Sequence, residues 1–357
     1  MKPTILVTGA TGKTGFPTVQ ELLRRGFPVR ALAHREDGRS GALRELGAEV
    51  VLGSLEDLAA LTAAMTGVQR AYFCPPLTPG TLRRATLFAT AAAEARLEVV
   101  VVLGQWLSDP DHLALHAREK WLSSRIFAWA PFDVVTLAPG WFADNYMAAL
   151  EPISQLGLFA MPLGEGRNAP PSNEDIGRVA AAVLADPAPH LGKTYRPTGP
   201  ELLSPAEIAD TFTRSLGRPV RYQNASLALF LKVARSLGVS DYVISQLHWF
   251  LQDYQRGSFG IGAPTEVVRE VGGAAPESFE TIVRRYLRGS PHARRTLGSG
   301  TRALGGILRA VLTRGPDLDR IAARLELPRL PGATLAADSL RWKSTHVPEA
   351  QLRSGPL

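Results

Sequence analysis

The chain has 357 residues, 45% hydrophobic and 20% charged, ordinary values for a globular protein of one large or two modest domains. A single cysteine, Cys74, excludes an internal disulfide, and no apolar run nears the roughly 20 residues needed to cross a bilayer. Net charge is +7, but eleven Lys/Arg against five Asp/Glu after residue 288 put +6 of it in the tail and +1 on the body. That distribution argues against a nucleic-acid-binding body. The tail reads as a solvated basic extension or, more sharply, as a contact for nucleic acid or an anionic surface. The N-terminus lacks a basic-then-apolar leader pattern, so the expected address is the cytoplasm.

Thr4-Ile5-Leu6-Val7 predicts a strand that runs into a glycine turn, with Gly9, Gly12 and Gly15. A helix follows at once, with Phe16, Val19, Leu22 and Leu23 on one face. Unpaired N–H groups and the helix dipole make such a turn an anion site. Two phosphate-binding patterns compete there. Gly12-Lys13-Thr14 ends like a P-loop, but that motif needs glycine where this chain has Val7. The dinucleotide pattern fits, since each glycine has a job: a tight turn, approach of a pyrophosphate, and close helix–strand packing.

Further strands are expected at 28–33, 49–52, 70–74, 99–103 and 132–137, with helices at 42–46, 56–65, 81–96 and 113–129 between them. Val99-Val100-Val101-Val102-Leu103 is apolar at every position, as in a central parallel strand covered on both faces. The alternation predicts a Rossmann-type doubly wound parallel sheet. After about residue 150 prolines crowd the sequence. A helix at 173–184, a strand at 194–196, a capping box at Ser204-Pro205-Ala206-Glu207, a strand at 219–222 and helices at 225–237, 240–254, 264–271 and 276–288 follow. The expected organisation is an α/β nucleotide-binding domain over 1–150, a smaller, mostly helical lobe over 151–288, and a basic extension over 289–357. In that extension Leu304, Ile307, Leu308, Val311 and Leu312 form an amphipathic helix, and the sequence beyond Pro328 is expected to be loosely ordered.

The second strand ends at Ala33-His34-Arg35, without the acidic residue that would bind a free ribose 2′-hydroxyl. Arg35 suits a 2′-phosphate, although Glu36 and Asp37 follow, so NADP(H) is favoured over NAD(H). A solvated loop charge is the plainer reading of Arg35.

The chain resembles the NmrA-like family of atypical short-chain dehydrogenases/reductases over about residues 3–288. The segments that carry the resemblance are 7–15, 46–53, Ala138-Pro139-Gly140-Trp141-Phe142-Ala143-Asp144-Asn145, 175–180, 192–195 and 198–201. It implies a cofactor set of Gly9, Thr11, Gly12, Lys13, Thr14, Gly15, Arg35, Ser54, Leu55, Pro75, Lys120 and Pro139. Departures are clear. Ser54 stands for the family's aspartate and Ala138 for its arginine, the fifth strand ends in Leu103-Gly104-Gln105-Trp106, and no Tyr-x-x-x-Lys occurs here.

In its place is His116-x-x-x-Lys120, whose ends share a helical face. Lys120 would hold the nicotinamide ribose, as the resemblance implies, and His116 would supply a proton or orient a carbonyl. A shifted phasing gives that role to His112. Phe73, Trp106, Trp141, Phe142 and Tyr146 would suit a flat apolar acceptor, or else pack a core or lid. Cys74 reads as a small buried residue rather than a nucleophile, and no metal-ligand spacing is present. Two functions remain: an NAD(P)H-dependent oxidoreductase passing hydride to a quinone or related carbonyl, and a non-catalytic NADP(H) sensor. Either a monomer or a homodimer is compatible with the sequence.

Overall fold

The computed structural model describes residues 2–290, 305 and 312–347. The first half alternates as expected. Its strands are Ile5–Val7 (β1), Val29–Ala33 (β2), Glu49–Leu52 (β3), Arg70–Phe73 (β4), Val99–Leu103 (β5) and Asp133–Leu137 (β6). The helices between them are Gly15–Arg24 (α1), Gly38–Glu45 (α2), Leu58–Met65 (α3), Thr81–Glu94 (α4) and Leu115–Ala128 (α5).

Two short helices, Asp144–Met147 (α6) and Leu150–Leu156 (α7), come next, then Leu158–Met161 (β7), Asn173–Ala185 (α8) and Thr194–Tyr195 (β8). The chain continues through Pro205–Leu216 (α9), Arg221–Asn224 (β9), Leu227–Ser236 (α10), Asp241–Gln255 (α11), Val267–Glu270 (α12) and Phe279–Gly289 (α13). In the tail, Leu318–Arg324 (α14) and Leu340–His346 (α15) are helical.

The main sheet is parallel, in the order β3-β2-β1-β4-β5-β6-β8. Strand order reverses between β1 and β4, so loops diverge there and open a crevice at the strand C-termini. Apolar clusters cover both faces, which is why β5 is buried along its whole length. The short strand β8 extends this sheet through Thr136 and Leu137 instead of standing in the helical lobe. β7 and β9 form a separate parallel pair; β7 lies in sequence that its prolines marked as loop.

The tail departs from expectation. The amphipathic helix placed over 304–312 lies, apart from Gly305 and Leu312, outside the described residues. The sequence beyond Pro328, expected to be loose, is docked through residue 347. Thr334 N donates to Asp111 O (2.9 Å) and Ala337 N to Asp253 Oδ1 (3.3 Å). Trp342 is 1% exposed, joins the lobe's core, and donates from Nε1 to Trp106 O at 2.8 Å. One isolated tryptophan gives no periodic signal, yet burying its ring outweighs the entropy of ordering a short segment.

Trp342→Ala should cost about 3–5 kcal/mol of docking free energy. Hydrogen exchange should then show protection lost at Thr334 and Ala337 while β5 stays protected.

Candidate functional site

The crevice begins at the first turn. Thr8 stitches β1 to β4, its Oγ1 donating to Tyr72 O (3.1 Å) and accepting from Cys74 N (2.9 Å). Gly9 follows at φ +60°, where a Cβ would lie 2.5 Å from Cys74 O. Gly12 N donates to Gly9 O (2.8 Å) and Phe16 N to Gly12 O (3.0 Å), closing the turn. A Cβ on Gly15 would stand 2.2 Å from that same Gly9 O, so only glycine lets α1 start so close to β1. The N–H groups of Lys13, Thr14 and Gly15 meet no acceptor among the described residues, and the tip at Gly12 and Lys13 is exposed. The result is an open anion cradle. Lys13 Nζ reaches Asp144 at 2.6 Å, and Asp144 also accepts from Tyr286, which ties the cradle to the lobe. Thr11 is half-buried beside it.

At the end of β2, Arg35 is exposed and its Nε contacts Asp37 Oδ2 at 3.2 Å. The neighbouring acids are engaged elsewhere. Asp37 caps α2 by accepting from Arg39 N (2.9 Å) and Ser40 N (3.2 Å), and Glu36 is held by Arg44. Arg39 beside Asp37, with the cap bonds, holds its carboxyl down at about 2. Ser54 accepts from Glu56 N (3.1 Å), Leu55 packs half-buried on the α3–α4 cluster, and Pro75 and Pro139 are buried at the ends of β4 and β6.

α5 carries the ionisable pair. Lys120 is buried and its Nζ donates to Leu103 O at the end of β5 (2.6 Å). Burial lowers it to about 8; the Arg84 charge adds to the fall and the Cys74 thiol opposes it. One turn earlier, His116 is buried, with N donating to Gln246 Oε1 (2.8 Å) and Nδ1 3.2 Å from Thr81 Oγ1. Burial, then Lys120 and Arg84, hold its pKa well below the ordinary histidine value, so the ring is neutral. Cys74, against Lys120 and Thr14, has its thiol pushed up by burial and stays protonated.

His112 is elsewhere. It is 1% exposed, accepts from Ala114 N at Nδ1 (2.8 Å), and therefore carries its hydrogen on Nε2, which donates to Asp253 Oδ2 (2.7 Å). Ser258 Oγ donates to the other oxygen of Asp253 at 2.7 Å. This sealed trio pins the loop before α5 to α11. Asp253 sits between Phe250, Leu251 and Tyr254, and a carboxylate on so apolar a stretch signals a buried partner that sequence reading passed over.

The aromatic residues are used in packing. Trp106 is 1% exposed and donates from Nε1 to Ser258 O (2.9 Å). Trp141 packs edge-on against Tyr254, and Tyr146 is buried with its hydroxyl 2.8 Å from that of Tyr254 and accepting from Asn168 Nδ2 (2.9 Å). Phe142 is half-buried against the β1 cluster and Phe73 is fully packed under α4. Their spacing carried no sign of which way each ring turns.

The NmrA-like family model matches residues 1–102. Over that stretch the chain is similar to the family. The chain is 29% identical over 250 residues to an NAD(P)H azoreductase of Xenophilus azovorans, a match spanning 66% of this chain and 82% of the relative. It is 28% identical over 247 residues to quinone oxidoreductase 2 of Escherichia coli, spanning 68% of this chain and 85% of that one. Among solved structures, the NADPH complex of the quinone oxidoreductase QOR2 from Escherichia coli superposes with a TM-score of 0.69 at 23% identity, covering 79% of this chain and 99% of that one. The Rossmann-type fold is common to both.

Gly15→Ala should destabilise the chain by about 1–3 kcal/mol in chemical denaturation, because its methyl has no room beside Gly9. Gly38→Ala, whose methyl meets nothing within 4 Å, should be neutral or slightly stabilising.

Proposed function

We propose that this NmrA-like chain binds NAD(P)H along its strand ends and passes hydride to a quinone or a related carbonyl acceptor. The observation that carries this reading is the cradle itself: three unengaged amides at Lys13, Thr14 and Gly15, held open by the contact of Gly15 with Gly9. Those groups fit a diphosphate. Ser54 and Leu55 would flank the adenine, Pro75 and Pro139 would border the ring end, and Lys120 would take the ribose hydroxyls. The azoreductase and quinone oxidoreductase names of the relatives support a redox role, and NAD(P)H is common to the reading whichever acceptor is used.

Arg35 favours NADP(H) as the form bound. With Asp37 capping α2 and Glu36 on Arg44, no unengaged carboxylate opposes a 2′-phosphate there. When bound, the nicotinamide supplies the hydride. The chain's own part is to exclude water, orient the acceptor and deliver a proton. Lys120, protonated below a pKa of about 8, can supply that proton at neutral pH. His116 stays neutral, and its bond to Thr81 suits it to holding α4 against α5 or orienting an acceptor, with Lys120 as the acid.

A second reading, a non-catalytic NADP(H) sensor, has its own support: no Tyr-x-x-x-Lys stands in α5, and His116 is enclosed by Thr81 and Gln246. Steady-state NADPH oxidation with a panel of quinones separates the two, and cofactor binding without turnover would favour the sensor.

Three outcomes are expected from the reductase reading. Arg35→Ala should weaken NADPH binding by about tenfold or more and leave NADH unchanged, as befits one charged hydrogen-bonding group. The wild-type rate should fall as pH rises through about 8, where Lys120 loses its proton, and Lys120→Met should be slower and lack that limb. No limb should appear near 6.5, because His116 is already neutral there.

A further inference from the structure

A second concavity lies away from the glycine turn. It is a groove of about 660 Å³ between α5 and the β6–β8 edge, closed at one end by the docked tail. Its floor is apolar, with Val102, Phe132 and Val134 among the lining residues. The tail contributes Arg341, Trp342, Thr345 and His346 to the wall, so the site exists only because that segment docks.

The polar groups of this groove are unusual in what they lack. Arg196 is half-buried, its Nε is buried without a partner, and its guanidinium makes no hydrogen bond or ion pair among the described residues. The other cations are accounted for: Arg341 pairs with Asp111 (3.2 Å), Arg125 lies over Trp121, Lys120 holds Leu103 O, and Lys193 is exposed to water. Asp109, a buried acid of the lining, is already satisfied by Asp111 N (2.9 Å) and Ser339 Oγ (3.0 Å). His346 stacks on Trp342 with ring centroids 3.9 Å apart, and its Nδ1 donates to Trp342 O (2.9 Å). Its Nε2 is therefore a bare acceptor, buried and without a partner. Gln105 Oε1 is likewise buried and unpartnered.

A guanidinium left unpaired in a half-buried site costs stability unless something completes it. We propose that this groove binds a small organic carboxylate with an apolar body: the carboxylate lies on the Arg196 guanidinium, the body covers the apolar floor, and a hydroxyl or amide hydrogen on the ligand faces His346 Nε2. The Arg196 fork matches a carboxylate, and the apolar floor calls for a ligand body that inorganic phosphate, which Lys193 at the exposed rim could also meet, does not have. The groove lies beyond the glycine-turn cradle and shares Lys120 with the proposed nucleotide site, but its argument rests on Arg196 and does not depend on the nucleotide.

The test is calorimetric titration of the full chain with 4-hydroxybenzoate, benzoate and inorganic phosphate. Wild type should bind 4-hydroxybenzoate more tightly than benzoate, and phosphate more weakly than either. Arg196→Gln should weaken both carboxylates by about tenfold or more, the loss expected for a charged hydrogen bond. Its ligand-free melting temperature should be no lower than wild type, since an uncompensated cation has been removed, and its NADPH affinity should be unchanged. His346→Phe keeps the stacked ring and should abolish the preference for 4-hydroxybenzoate over benzoate. Failure of wild type to bind either carboxylate, affinities unmoved by Arg196→Gln, or phosphate binding tightest would overturn the proposal. Loss of NADPH binding in wild type would strike the reductase and sensor readings and leave this proposal standing.

Discussion

The contact that governs this molecule is the approach of α1 to β1, where the Gly9 carbonyl stands 2.2 Å from the place a Gly15 Cβ would occupy. Bringing the helix that near points its first amides at the crevice between β1 and β4. The sheet order, with its reversal at that point, puts the crevice on the C-terminal side of the strands. Everything assigned to the nucleotide depends on those two facts. A wider turn would spend the amides on the chain itself.

α5 shows how burial converts ordinary side chains into tuned ones. Lys120 and His116 lie one turn apart on a face packed against α4, the end of β5 and α11. Desolvation disfavours charge on both. Lys120, with a carbonyl at 2.6 Å, is brought to about 8, whereas His116 is moved out of its usual range and kept neutral. In the proposed reductase the two would divide the work: one would give up a proton at neutral pH, the other would hold a hydrogen bond.

The tail adds a layer to this arrangement. Thr334, Ala337, Ser339 and Trp342 each make a bond to the body, and two of the acceptors belong to the buried carboxylates Asp253 and Asp109. Asp253 is thus shared by His112, Ser258 and the tail backbone, which couples the loop before α5 to the last helix described. A short segment can be held this way because it satisfies polar groups that would otherwise be buried unpaired.

Local sequence determined the alternation of strands and helices, the glycine turn, the apolar β5 and the Ser204–Glu207 capping box, because each depends on neighbours within a few positions. The similarity of the first 102 residues to the NmrA-like family was likewise legible in the 7–15 segment. Long-range packing decided the rest. Nothing near Trp342 announces that its ring will fill the lobe's core, nothing near Thr194 assigns it to the main sheet, and the spacing of Trp106, Trp141 and Tyr146 does not say which rings face a ligand. His112 and His116 look alike in the sequence, four residues apart; only the arrival of Asp253 at one and of Thr81 and Gln246 at the other separates them. The physical reason is that periodicity reports which face of an element is apolar, whereas the partner that meets this face is chosen by chain segments far away in sequence, from 35 residues for Thr81 and His116 to 141 for His112 and Asp253.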